Sequence, residues 1–195
     1  MPLRAGIGER VDLCSVPSVT WRGESGADLD DAATGGGLFG ATWRFGDDLR
    51  LGAGVGAFSE IEDDATVFPI LLVDWQVTES FSLETGQGLG ATRGPGLTLN
   101  WTGIDRWRFT LGARWETWRF RLDDGGTAPD GVGEEEAVPV FLAATYDVIP
   151  TVQLGILGGL DVAGSLTLED ADGRELAEED FDPTPFLGAT FRARF

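Results

Sequence analysis

Any chemistry in this chain has to be done by arginine and carboxylate. Among its 195 residues there is no histidine, one cysteine (Cys14) and no lysine, so all 14 cations are arginines set against 33 acidic residues. Without histidine, Ser-His-Asp and Cys-His catalysis and imidazole metal sites are excluded. A lone Cys14 makes no internal disulfide and reads as a small, half-buried residue rather than a reactive thiol. A net charge of -19 leaves no clustered cations for a nucleic acid partner.

The arginines and carboxylates fall into two groups by position. Arg44, Arg50, Asp74, Glu84, Arg108, Arg114, Glu116, Asp161, Arg192 and Arg194 recur at alternate positions of β-patterned runs, opposite apolar neighbours. Such charges must be paired or hydrated, and they suit the interior of a rolled sheet, as an ion-paired filling or as the lining of a narrow pore. Glu60, Glu62, Asp63, Asp64, Arg93, Arg119, Arg121, Asp123, Asp124 and Glu134 cluster near longer acidic connections and predict an arginine–carboxylate network on one rim. Twenty-two of the 33 acidic residues lie in the segments 22–36, 59–66, 123–136 and 169–182. The plain reading is a solvated, self-repelling surface; the chemical one is divalent cations held between these loops. The run 169–175 lacks the full spacing of a calcium loop. No carboxylate pair is placed for acid–base catalysis, and no cofactor or resident metal is expected.

The elements that must position these side chains are strands. Twenty-nine glycines and many short runs of period two predict an all-β chain forming one domain over 1–195, with 1–36 the least patterned part. Trp107, Phe109, Leu111, Ala113 and Trp115 alternate with Arg108, Thr110, Gly112, Arg114 and Glu116, and the runs at 49–57, 138–147 and 152–162 alternate likewise. Short turns at 46–48, 78–80, 103–106 and 149–150 take turns with long connections. That rhythm predicts an antiparallel up-and-down transmembrane β-barrel of about ten strands, with eight to twelve compatible. The ten are 11–21, 37–45, 49–58, 67–77, 81–89, 96–102, 107–122, 137–148, 151–168 and 184–195. After Trp115 the apolar phase slips by one, to Trp118, Phe120 and Leu122, which predicts a bulge. In the strand at 67–77, Phe68, Ile70 and Leu72 share the face of Asp74, which predicts local apolar filling of the interior.

Alternation also fits a soluble, lipocalin-like barrel with its apolar face inward. The aromatics favour the membrane form. Trp43, Trp75, Phe81, Trp101, Trp107, Tyr146 and Phe195 sit near short turns or the chain end, on the apolar faces, as a girdle at the bilayer interface would. The final strand, with Leu187, Ala189, Phe191, Ala193 and Phe195 on one face, has the pattern of a closing strand and of a signal to the barrel-assembly machinery. No apolar run is long enough for a transmembrane helix. No leader of signal-peptide length is recognisable, so an exported chain of this kind is expected to have lost one or to start short of it.

The phrases Phe58-Ser-Glu-Ile-Glu-Asp-Asp64, Val67-Phe-Pro-Ile-Leu-Leu-Val-Asp-Trp75, Thr92-Arg-Gly-Pro-Gly-Leu97, Phe120-Arg-Leu-Asp-Asp124, Gly131-Val-Gly-Glu134 and Asp182-Pro-Thr-Pro-Phe186 together resemble an uncharacterised family of bacterial outer-membrane β-barrel proteins, a domain of unknown function, over roughly residues 37–195. The resemblance implies fold and an outer-membrane location with lipid as partner. It brings no activity and no catalytic residues. The expected function is a small, non-enzymatic outer-membrane barrel with a structural or surface-interaction role. The alternatives are a narrow channel for small solutes and a soluble binder of an apolar ligand.

Overall fold

The computed structural model describes residues 3–27, 32–61, 65–85 and 95–194. They form one antiparallel sheet and no helix. Thirteen strands follow each other: β1 (Leu3–Ile7), β2 (Val11–Trp21), β3 (Ala33–Phe45), β4 (Leu49–Ser59), β5 (Ala65–Gln76), β6 (Phe81–Thr85), β7 (Gly96–Trp101), β8 (Trp107–Arg114), β9 (Glu116–Arg121), β10 (Val132–Ile149), β11 (Val152–Glu169), β12 (Glu175–Phe181) and β13 (Thr184–Ala193). Neighbours in sequence are neighbours in the sheet, as in a meander. Two pairs of these strands are interrupted runs: β8 and β9 both pair with β10, and β12 and β13 both pair with β11.

Two differences from the ten predicted strands stand out. β1 is an added hairpin arm on β2, turned by Gly8 at φ 66°; its five residues are too few to show a period. β12 replaces part of the acidic connection expected at 169–182, and the acidic end of the 123–136 connection is the start of β10. Glu175-Leu-Ala-Glu-Glu-Asp-Phe181 carries no alternating apolar face, because its side chains are almost all exposed and its backbone pairing with Gly164–Glu169 alone makes it a strand. Among the described residues the sheet is also open, where a closed barrel is expected: β1 pairs only with β2, and β13 only with β11.

The faces separate as the alternation predicts. Residues directly opposite share a face, so the register carries the outer set across the sheet, from Trp43 against Leu51 to Leu99 against Leu111, Leu111 against Leu142 and Leu154 against Phe191. These apolar side chains are the exposed ones. The opposite face is packed, largely by aromatic rings laid over glycines. A Cβ on Gly112 would come within 2.4 Å of Phe141, and one on Gly56 within 2.3 Å of Phe68, so only glycine fits under either ring. Phe58 stacks on Phe68 at 6.2 Å, and Leu72 lies over Gly40. Phe68 and Leu72 thus fill this inner face, and Phe141 is only 5% exposed.

A crease crosses four neighbouring runs at one level. β8 gives way to β9 at Trp115, the register of β10 on β11 shifts between Glu136 and Val138, Ala163 takes φ 51°, and β12 gives way to β13 at Asp182-Pro183. The phase slip after Trp115 is the trace of this crease in the sequence. Beyond it, β9, β12 and the ends of β10 and β11 form a flange that carries most of the acidic residues of this half.

Candidate functional site: the inner face and its capped rim

The rim network gathers on one arginine. Arg119 on β9 meets Glu134 of β10 at 2.6 Å, Glu169 of β11, and Glu60 just past β4 at 3.8 Å. Glu134 and Glu169 are brought in by pairing, since Arg119 is opposite Glu134 and Val132 is opposite Glu169. Glu60 comes from far along the sheet order, so the sheet is curled and Arg119 sits on its concave side. Its side chain is 12% exposed, and those of the three carboxylates are exposed by a quarter or less. At that burial a lone cation is costly and pairing compensates it.

Two connections are tied to the same strand. The Arg121 guanidinium donates to the carbonyls of Asp130 at 2.7 Å and Ile61 at 3.1 Å. The segment after β2 lies against the open edge of β9: Arg121 N–H donates to Arg22 O at 3.0 Å, and Glu24 N–H to Arg121 O at 2.8 Å. The Arg22 guanidinium stacks over Trp118 at 4.2 Å, and burial there lowers its pKa from the usual arginine value. Residues 22–27 and 60–61 therefore reach over to β9 and cap the concave side at this rim.

Asp123 and Asp124 stay outside the arginine network. Asp123 accepts from Gly125 N–H, which together with a hydrogen bond from Asp124 lowers its pKa, while that bond and the charge of Asp123 raise the pKa of Asp124. Glu62, Asp63, Asp64 and Arg93 lie outside the described residues. Sequence reasoning does not bring Glu169 into the network, nor the backbone of Glu24 onto β9. Glu169 was visible only as part of an acidic run, and the pairing of β10 with β11 is what selects it.

On the inner face, the predicted charges divide three ways. Arg44 and Arg50 stand directly opposite each other, flanked by Asp12 at 3.6 Å and Asp74 at 3.5 Å, with Glu84 opposite Asp74. The two like-charged neighbours are each offset by a carboxylate, and Asp12 is a member that sequence reasoning missed, although its parity on β2 would have placed it. Arg114 pairs with Glu116 near the crease, and Asp161 of β11 stands opposite Pro139 near the same level. Arg108, Arg192 and Arg194 are exposed near the short turns and have no ion pair among the described residues. On β6, β7 and β8, one to three residues in from the row of rings at the short-turn rim, the inner face carries polar side chains that satisfy one another. Asn100, buried with Ser82 and Thr98, donates to Ser82 and Glu84 and accepts from Thr110 at 2.7 Å.

The predicted girdle residues lie along one rim of the outer face. Phe81, Trp101, Phe109, Trp107 and Tyr146 form a row of rings with centroids 5.0–6.4 Å apart. Trp43 and Trp75 flank β4 at its turn end, against Leu51 and Leu49. Phe195 lies outside the described residues. Cys14 is half-buried, its thiol directed at Gly40 O.

For divalent cations, no group of three or more cysteine, aspartate or glutamate side chains among the described residues is arranged to hold one. Where three carboxylates do converge, the Arg119 guanidinium fills the place. No protein-family model, curated protein or solved structure matches this chain. The resemblance to outer-membrane barrels therefore rests on the quoted phrases alone.

Proposed function

We propose that this chain is a small, non-enzymatic β-barrel protein of the bacterial outer membrane, with a structural or surface-interaction role. The observation that supports it is the polarity of the sheet. The apolar side chains, Leu142 at 66% and Leu187 at 88% exposure among them, line the exposed outer face, and the charges and buried polar groups line the inner one. A soluble lipocalin-like barrel has the reverse arrangement. An apolar surface of this extent in water would be an aggregation hazard, whereas against lipid it is the solvent-matched surface. In this reading the row of rings lies at the periplasmic headgroup level, and the flange with its acidic strand and loops stands outside the cell. The outer face meets lipid, and β13 is the element recognised by the assembly machinery.

Refolding in detergent micelles, followed by electrophoresis with and without boiling, tests the proposal. A compact, protease-resistant band that shifts on boiling is expected. A monodisperse protein that stays soluble without detergent and shows no such band would refute it.

A further inference from the structure

The barrel reading, on which this inference rests, leaves a problem at the two open edges. β1 and β13 each present unpaired N–H and C=O groups, and in hydrocarbon each such group costs several kcal/mol. β1 is a poor partner for β13. Its five residues reach roughly 17 Å, and along the up-and-down path it runs parallel to β13.

β2 is a good one. It has eleven residues against the ten of β13 and runs antiparallel to it along the path. Its outer face, with Leu13, Pro17 and Val19, is continuous with that of Trp43 through the register with β3, and so matches Leu187, Ala189 and Phe191. Charge agrees as well. The start of β2 and the end of β13 both lie at the short-turn rim, which brings Asp12 level with Arg192 and Arg194. Those two arginines have no carboxylate partner among the described residues, and Asp12 is engaged only by Arg44 on its other side. Yet half of this edge is occupied: β1 covers β2 from Val11 to Ser15.

We infer that β1 is a placeholder on the seam: on membrane insertion β13 displaces it and pairs with β2, closing a ten-stranded antiparallel barrel in which Asp12 lies beside the arginines of β13. Released β1 then forms a short arm at the periplasmic rim. A covering of this kind protects an edge strand from pairing with another chain before insertion.

The one native cysteine makes the test direct. Cys14 is the register partner of Arg4, and directly opposed strand residues are within disulfide reach. Oxidised Arg4→Cys therefore staples β1 to β2. The yield of the heat-modifiable band after refolding in micelles is expected to fall at least tenfold when stapled and to return on reduction. Conversely, Thr190→Cys or Arg192→Cys is expected to cross-link to Cys14 within one molecule after refolding. Stapled Arg4→Cys that refolds as well as its reduced form, no cross-link from either β13 position, or a cross-link only between molecules would each overturn the inference. If the reduced variants and the parent protein also give no compact band, the barrel proposal itself fails, and the two failures are thereby told apart.

Discussion

A single arginine placed on the outer face separates a lipid-facing sheet from a water-facing one. Leu142 of β10 lies opposite Leu111 and Gly158 and is two-thirds exposed. It is four residues from Tyr146 in the row of rings. At about 3.4 Å per residue and a tilt of about 40°, that places it about 10 Å above the girdle, near the midplane of an apolar band about 25 Å tall. Leu154, opposite Tyr146, lies at girdle level on the neighbouring strand. Arginine at a bilayer midplane costs about 2–4 kcal/mol and near the interface about 0–1. Leu142→Arg should therefore lose about 2–4 kcal/mol of folding free energy in lipid vesicles, and Leu154→Arg no more than about 1. Reversible urea unfolding monitored by tryptophan fluorescence reads both. On a surface facing water, exposed substitutions cost within about 0.5 kcal/mol wherever they sit. Equal, near-zero effects at the two positions would refute the lipid-facing assignment, whatever the electrophoretic behaviour.

Arg119→Ala leaves Glu60, Glu134 and Glu169 facing one another without their cation, at a cost of about 3 kcal/mol, the low end for a broken buried pair because the site keeps some solvent contact. Faster proteolysis within 22–27 is expected, with partial rescue by Arg119→Lys; unchanged cleavage would show that the cap does not depend on this residue. Gly112→Ala puts a Cβ into the Phe141 ring and is expected to cost about 1–3 kcal/mol. Gly35→Ala, where a Cβ meets nothing within 4 Å, is the matched control, and equal melting temperatures for the two would count against the ring-over-glycine packing. Asp124, its pKa raised by Asp123, binds its proton more tightly folded than unfolded, so it adds stability as pH falls through its folded pKa. Asp123, lowered, loses its contribution as pH falls through its own. Asp123→Asn should bring the Asp124 titration back toward the ordinary carboxylate range by carboxyl NMR; no movement would mean that the pair does not interact.

Sequence alone shows the part of the sheet below the crease better than the flange, for a physical reason. Where one face is apolar throughout, as in β8, β10 and β11, period two marks each strand and sets its faces. The crease was visible too, because it moves Trp118 and Phe120 out of phase with Trp115. β12 carries charge on both faces, so only its pairing with β11 makes it a strand, and pairing leaves no mark on composition. The same limit applies to the cap. Counting along their strand sets the level of Arg119 and Arg121, but Glu169 depends on the pairing of β10 with β11, and the Glu60 contact and the stacking of Arg22 on Trp118 depend on which connections fold back across the sheet. Alternation reports a face and not a partner, so it cannot tell Arg108 and Arg192, which have no ion pair among the described residues, from the paired Arg44 and Arg50.

Within the proposed barrel, the packing of the inner face favours a structural role over a channel. A continuous water path would have to pass the buried Ser82, Thr98 and Asn100, the Phe141 ring and the stacked Phe58 and Phe68, and then the loops tied to Arg119 and Arg121. Among the described residues, inner-face charges stand exposed toward the short turns, at Asp74, Arg108 and Arg192, with Arg50 half-buried beside them. Closed as proposed, the barrel would hold a vestibule open at the short-turn end and filled above it. In planar bilayers the protein should be electrically silent. Arg119→Ala, which loosens the cap but leaves the packing at mid-height, should remain so. Steady conductance in the parent protein that shifts with Arg108→Ala would overturn the filled interior, because Arg108 could alter current only from the wall of a continuous path.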